Sequence, residues 1–239
     1  MEWQDQGVLL NVRRHGESAA IIEVLTETHG LHAGLVRGGG SRKMGALLQP
    51  GTQLALSWRA RLEGQLGSFS VELISSRSFT LLTDRKKLYT FNALSAMLSK
   101  YMPEREPNTQ LYHGGLEVLA RLHADDHWQH CYCRFELQLL EVLGYGLDLS
   151  RCAVSAETTQ LHYVSPKSGR AVGKAAAVGY EPRLLPLPDP LRSAEMRAIS
   201  VPEFTGSLKL TGYFFDNWIP TARPGLPEPR LRLLELLER

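Results

Sequence analysis

The sequence predicts an α+β protein: a small β-barrel over residues 1–80 followed by a mainly α-helical domain over residues 81–239. Three observations carry that expectation. Up to residue 75 the apolar residues come in short β-branched or alternating runs between glycine-containing turns; from residue 83 they recur at helical spacing; and a stretch at about 148–189 follows neither period.

The strand signals come in order. "GVLLNVRR" and "AAIIEVLTETHG" are rich in Val, Ile and Leu, with His15-Gly16-Glu17-Ser18 between them as a turn, and "GLHAGLVRGGG" makes a third run after Gly30. In "TQLALSWRARL" Leu54, Leu56 and Trp58 alternate with Gln53, Ser57 and Arg59; in "GSFSVELIS" Phe69, Val71 and Leu73 alternate with Ser70 and Glu72. Both strands are expected to be half buried. Five short strands in about 80 residues suit a closed or partly open barrel, with the five-stranded OB-fold the first candidate and a small β-sandwich the alternative.

Helical spacing then takes over. "TDRKKLYTFNALSAMLSKYM" places Leu88, Phe91, Leu94, Leu98 and Tyr101 on one stripe, with Thr83 or Asp84 as cap and Pro103 beyond the end. "NTQLYHGGLEVLARLHA" and "DDHWQHCYCRFELQLLEVLG" give a second and a third helix, the latter capped by Asp125-Asp126 and closing at Gly144. Residues 190–199, 206–218 and 228–239 read as short helices after the linker-like "PLPDP".

Composition bounds the function. The chain is 43% hydrophobic and 22% charged, as in a globular protein, and has no apolar run long enough to cross a bilayer. Met1-Glu2-Trp3-Gln4-Asp5 lacks the basic start and apolar segment of a secretion signal, so a cytoplasmic location is expected, with no membrane partner. Cys131, Cys133 and Cys152 read as reduced thiols. The net charge of +2 hides a local excess: residues 33–62 contain Arg37, Arg42, Lys43, Arg59 and Arg61 and no acidic residue.

Within that segment, Gly38-Gly39-Gly40 stands between Arg37 and Arg42-Lys43. Glycine lets backbone N–H groups approach an anion closely, so a bound phosphate would explain the pattern, but from this stretch alone a solvated, flexible connection between two strands is the better reading. Arg85-Lys86-Lys87 opens the first helix, where the macrodipole disfavours cations; an anion nearby accounts for this, and exposed lysines at a helix start, which cost little, account for it equally. Trp58 and Phe69 are expected in the core rather than as base-stacking platforms. His123, His127, His130, Cys131 and Cys133 form the most tempting metal cluster, but a helix cap at Asp125-Asp126 breaks its spacing, and packed or surface side chains are the better reading. The glycine loop has neither P-loop nor dinucleotide spacing, there is no G-x-S-x-G elbow, and the carboxylates are scattered. No catalysis of covalent chemistry and no cofactor are expected.

"FELQLLEVLGYGLDLSRCAV" at 135–154, with "HGESAAIIEVLTETHGLHAGLVRGGG" and Leu48-Gln49-Pro50, resembles the RecO family of bacterial recombination mediators over roughly residues 5–170. The resemblance implies an N-terminal OB-fold DNA-binding domain and a helical C-terminal domain acting in DNA repair by homologous recombination, and association with the nucleoid. It implies binding of single- and double-stranded DNA, annealing of complementary strands, and help in loading recombinase onto DNA coated by single-strand-binding protein, with RecR as partner. Many family members carry a four-cysteine zinc motif after the "LGYGLDLSRC" segment; here the corresponding positions read Cys152-Ala-Val-Ser155 and Ser165-Pro-Lys-Ser168. The expectation is therefore a zinc-finger-like loop region lacking its cysteines, with no metal and "YVSPKSGRAV" held as a loop or hairpin.

On this reading the DNA-contacting residues are Arg14, Arg37, Gly38, Gly39, Gly40, Arg42, Lys43, Arg59, Arg61, Lys86 and Lys87. Arg223, Arg230 and Arg232 are candidates to extend that surface. The tail of single-strand-binding protein is acidic with a hydrophobic end, so its receptor should pair cations with an apolar groove, and Arg121, Arg134 and Leu137 are the candidates. A protein–protein adaptor with little DNA binding is the rival; a nuclease or deaminase would need a metal and a carboxylate cluster.

Overall fold

The computed structural model describes residues 1–62, 64–76, 83–124, 126–193, 195–222 and 224–239. The chain divides into two compact units, residues 1–123 and 124–239.

The first unit is built on five strands: β1 (Glu2–His15), β2 (Ala19–Thr26), β3 (Gly30–Val36), β4 (Gln53–Arg59) and β5 (Ser68–Ser75). They close in the order β1-β2-β3-β5-β4, an OB-like barrel. One row of paired residues shows how it closes: Trp3 faces Trp58, Trp58 faces Phe69, Phe69 faces Val36, Val36 faces Ala20, and Ala20 faces Arg14. The row leaves β1 at Trp3 and re-enters the same strand at Arg14, and this stagger is what lets so few strands form a closed cylinder. A register shift between Leu9 and Asn11 bends the long β1 around the turn.

Leu9, Ile22, Val24, Leu54, Leu56, Trp58 and Phe69 fill the interior. Trp58 and Phe69 are core residues, buried as the alternation predicts. Leu10, Ile21 and Leu25 are buried too, although their strand neighbours already point inwards. Residues buried on both faces of a sheet need a second layer. Here it is α2 (Arg85–Tyr101) and α3 (Thr109–Ala124): Ser95 Oγ donates to the Leu10 carbonyl at 3.2 Å, Ser99 Oγ donates to Glu23 at 2.5 Å, and a Cβ on Gly115 would lie 3.7 Å from the Leu25 side chain. Asp84 caps α2 by accepting from the Lys86 and Lys87 amides. The change from strand to helix near residue 80 is thus a change of layer inside one compact unit; residues 77–82 lie outside the described residues.

The second unit contains α4 (Trp128–Val142), a small sheet of β6 (Leu161–Val164), β7 (Ala171–Gly173) and β8 (Leu185–Pro186) in the order β7-β6-β8, then α5 (Val201–Asn217) and α6 (Glu228–Leu237). The hairpin expected at "YVSPKSGRAV" forms as β6–β7. Residues 190–199 differ from expectation, with only a short 3-10 turn, at Asp189–Leu191, among the described residues, and α5 starts earlier than expected because Ser200 and Glu203 make a reciprocal capping box. His127, in the left-handed conformation at φ 47°, precedes α4 without a side-chain cap; Asp125, named in the expected cap, is outside the described residues.

α6 is anchored from inside. Arg230 is fully buried: its Nε donates to Glu136 Oε1 at 2.8 Å, and its Nη2 donates to Glu136 Oε2 at 3.0 Å and to the Leu208 carbonyl at 2.6 Å. Thr211 Oγ1 donates to the same carboxylate. Arg230 therefore cannot extend a DNA surface, because its charge is engaged in joining α4, α5 and α6. Arg232 is exposed and paired with Glu228 at 2.6 Å, and Arg223 is outside the described residues.

Candidate functional site

The basic segment is positioned by the end of β3 and by the turn and helix after it. Val36 closes the row described above, and the chain turns through Arg37–Ser41 into a short helix, α1 (Arg42–Leu47), which the apolar spacing does not anticipate. Ser41 caps α1 by accepting from the Met44 amide at 3.3 Å. A Ser shortly before the first apolar position was the available signal, too weak for a helix this short.

The glycines serve the turn. Gly38 sits at φ +71°, where side chains are strained, and a Cβ on Gly39 would fall 2.7 Å from that of Ala20. The Gly39, Gly40 and Ser41 amides donate to the carbonyls of Val36 at 3.2 Å, Ser18 at 3.0 Å and Gly38 at 3.0 Å. The Gly40 amide docks the loop against the β1–β2 turn, and the Gly39 and Ser41 amides close the loop on itself. The anion cradle of free N–H groups that the glycines suggested is not what this loop offers; it offers cations. Arg37, Arg42 and Lys43 are exposed, Arg14 is exposed on β1 opposite Ala20, and none of the four pairs with an acidic side chain among the described residues.

Arg59 joins them. It lines with Arg37 a cavity of about 410 Å³ whose other walls are Val36, Met44, Phe69, Val71, Ser68 and Ser70. The cavity arises because β3 and β5 pair in parallel only at Leu35–Ser68 and Val36–Phe69 and then diverge. Sequence reasoning missed Met44, Ser68 and Ser70 because this parallel pairing joins distant segments and leaves no local signal. Arg59 Nη2 is 2.7 Å from Glu2, an exposed pair whose net worth is small, so it exchanges partners at little cost. Arg61 is exposed on the loop after β4. Lys86 is exposed at the start of α2, whereas Lys87 is buried and presents no open face to a ligand.

The partner residues are divided between units. Arg121, on α3 in the first, pairs with Glu117 at 3.0 Å; Arg134 and Leu137, on α4 in the second, are half-buried beside the buried Phe135.

The histidine–cysteine cluster divides between surface and core: His123 is exposed and His127 lies partly exposed beside Asp126, while the other three are buried. His130 is fully buried, its Nε2 donating to the Pro190 carbonyl at 2.9 Å and its Nδ1 accepting the Arg197 amide at 3.2 Å, so neither nitrogen is available to a metal. Cys131 and Cys133 are buried, and no group of three His, Cys, Asp or Glu residues that could hold a metal is found among the described residues. Cys152 is different. Burial alone would raise its thiol, but the Ser155 hydroxyl and the amides of Ser155, Gly173 and Val154 stabilise the anion and bring it down to about 7, the amides lying 3.5, 3.2 and 3.4 Å from sulfur. The single proton of Ser155 Oγ goes either to the sulfur or to Glu157 Oε2, 3.1 Å away. One thiol among serine hydroxyls does not fit the donor set of a tetrahedral zinc ion.

Comparison with known proteins decides the family. Residues 1–77 match the family model described as "Recombination protein O N terminal", and residues 82–226 match "Recombination protein O C terminal". The chain belongs to the RecO family. The two RecO matches meet between β5 and α2. Full-length similarity agrees: the DNA repair protein RecO of Ruegeria sp. (strain TM1040) is 51% identical over 242 residues, covering 100% of this chain and 99% of the relative. Those of Cereibacter sphaeroides (strain ATCC 17025 / ATH 2.4.3) and Rhodospirillum rubrum are 48% and 41% identical, each covering 100% of this chain and 99% and 97% of the relative. No helix among the described residues of this RecO-family chain is long and apolar enough to cross a membrane.

Proposed function

We propose that the chain acts in DNA repair by homologous recombination, binding single- and double-stranded DNA through the cationic end of its barrel, annealing complementary strands, and helping to load recombinase onto DNA coated by single-strand-binding protein. The observation that carries this is the convergence of Arg37 and Arg59 on one cavity, with exposed Arg42 and Lys43 on the helix beside it and no acidic residue between positions 33 and 62. Such cations neutralise phosphates and give affinity with little sequence information. Backbone contacts leave base edges free, which pairing of two strands requires. Arg134 and Leu137 on α4 are the proposed contact for the acidic, hydrophobic-ended tail of single-strand-binding protein, and RecR is the proposed partner in loading. The chemistry is binding, not catalysis.

Fluorescence anisotropy of a labelled oligodeoxynucleotide across a salt series tests the reading. The wild-type chain should show a steep dependence of affinity on salt, and Arg37→Ala/Arg42→Ala/Lys43→Ala should reduce that slope by about two, since each phosphate left without its cation on a single strand removes about 0.7. Weak, salt-insensitive binding by the wild type would favour an adaptor that docks repair proteins without holding DNA.

A further inference from the structure

The barrel is closed by pairing, but each of β1, β3 and β5 is paired on one side only over part of its length: Glu2–Gln6 with β4, Asn11–His15 and Gly30–Gly34 with β2, and the far half of β5 with β4. β5 is bonded to β4 from Ser68 to Ser75, whereas β3 reaches it only at Ser68 and Phe69. Ser70 to Ser75 thus present a free strand edge among the described residues. Leu73 and Ile74 on that stretch are 55% and 47% exposed. Free edges are ordinarily blunted by Lys, Pro or a bulge that turns the strand away. Here Ser68–Ser75 contains neither Lys nor Pro and Glu72 is its one charged residue; the register shift against β4 leaves Ile74 as the extra residue near the end of the edge, so the ladder is regular from Ser70 to Leu73.

The surroundings say what fits. At its start the free edge borders the cavity whose floor is Val36, Met44, Phe69 and Val71 and whose rim carries Arg37 and Arg59; α1, which contributes Met44, displays Arg42 and Lys43. A second copy joined edge to edge would bring two such cationic rims together. An acidic partner meets opposite charge.

We infer that the free edge of β5 takes up an extended acidic peptide segment as an additional strand, its backbone pairing with Ser70–Ser75, its apolar side chains covering Leu73 and Ile74, and its carboxylates reaching Arg37 and Arg59. This does not rest on the chain binding DNA.

The test uses the full chain and an octapeptide alternating glutamate with valine and isoleucine, its lysine-for-glutamate counterpart, and a version N-methylated at alternate residues. Hydrogen exchange should slow at residues 70–75 with the acidic peptide. Its affinity should exceed that of the lysine counterpart by about tenfold or more, and N-methylation or Ile74→Asp should each cost about tenfold. Ile74 is half exposed, so the variant should keep the wild-type circular dichroism, and the N-methyl comparison needs no variant. Equal binding of the lysine or N-methylated peptides overturns the inference. So does self-association of the chain that protects residues 70–75 in sedimentation and exchange, or protection by oligothymidylate but not by peptide. Loss of DNA binding with the peptide result intact would instead count against the repair reading alone.

Discussion

Cys152 shows how much one side chain's setting depends on backbone that is far away in sequence. Its sulfur accepts the amide of Gly173 as well as those of Val154 and Ser155, so its acidity reports the β7 strand as much as its own loop. Thiolate absorbance in the ultraviolet should titrate with a midpoint near 7 and disappear in Cys152→Ser, while Cys133, which burial pushes well above the ordinary thiol range, should contribute nothing below strongly alkaline pH. Elemental analysis of the purified chain should find far less than one zinc per chain. At Gly39 the prediction is steric. Gly39→Val must push against the Ala20 Cβ and backbone, and should lower stability by about 1–3 kcal/mol, measured by urea unfolding, whether or not DNA is a ligand. The three glycines were visible in the sequence; the purpose of Gly39 was not, because the neighbour that requires it is far upstream, at the start of β2.

Among the elements, α6 depends most on a single interaction. Arg230 joins α6 to the Glu136 carboxylate of α4 and the Leu208 carbonyl of α5 with no exposure to solvent. Removing one partner leaves a buried charge alone, so Arg230→Ala or Glu136→Ala should cost about 3–5 kcal/mol, whereas Arg230→Met/Glu136→Leu should recover most of that loss. α4 carries an acid-sensitive site. Burial lowers the pKa of His130, as it does for His32 on β3, so both remain neutral in the folded chain while the unfolded chain takes up protons near the ordinary value of 6.5. The unfolded state then binds more protons as pH falls, and stability should decline through and below pH 6.5. His130→Asn should flatten the decline in thermal unfolding scans. Periodicity made α2, α3 and most of α4 legible from sequence. α5 could have been placed correctly, since Ser200-Val-Pro-Glu203 is a capping box written in the chain. α1, β8 and the absence of a full helix at 190–199 were not legible, since segments this short take their conformation from tertiary contacts rather than from a local pattern.

At the scale of the whole molecule, the α+β character and the barrel could be read from where apolar residues alternate and where they recur every third or fourth position. The cavity at Arg37 and Arg59 could not, because it exists only where β3 and β5 part. The burial of Leu10, Ile21 and Leu25 under α2 and α3 sets how the chain can be cut. A fragment ending at residue 80 would expose those three side chains at a cost of about 1.5–3 kcal/mol each. It should be unfolded or aggregated by circular dichroism and size exclusion, whereas a fragment ending at residue 123 should unfold cooperatively. The long first strand has a consequence of its own. Gly7 and Val8 are paired on both sides at once, with Thr26 and Leu25 of β2 and with Leu54 and Gln53 of β4. A slip of β1 by one residue against either neighbour must therefore break the other ladder too, so the two pairings act as each other's lock. A barrel fastened this way can trade partners without coming undone only away from that lock, and among the described residues the far end of β5, where one side of the strand is held by β4 alone, is one such place.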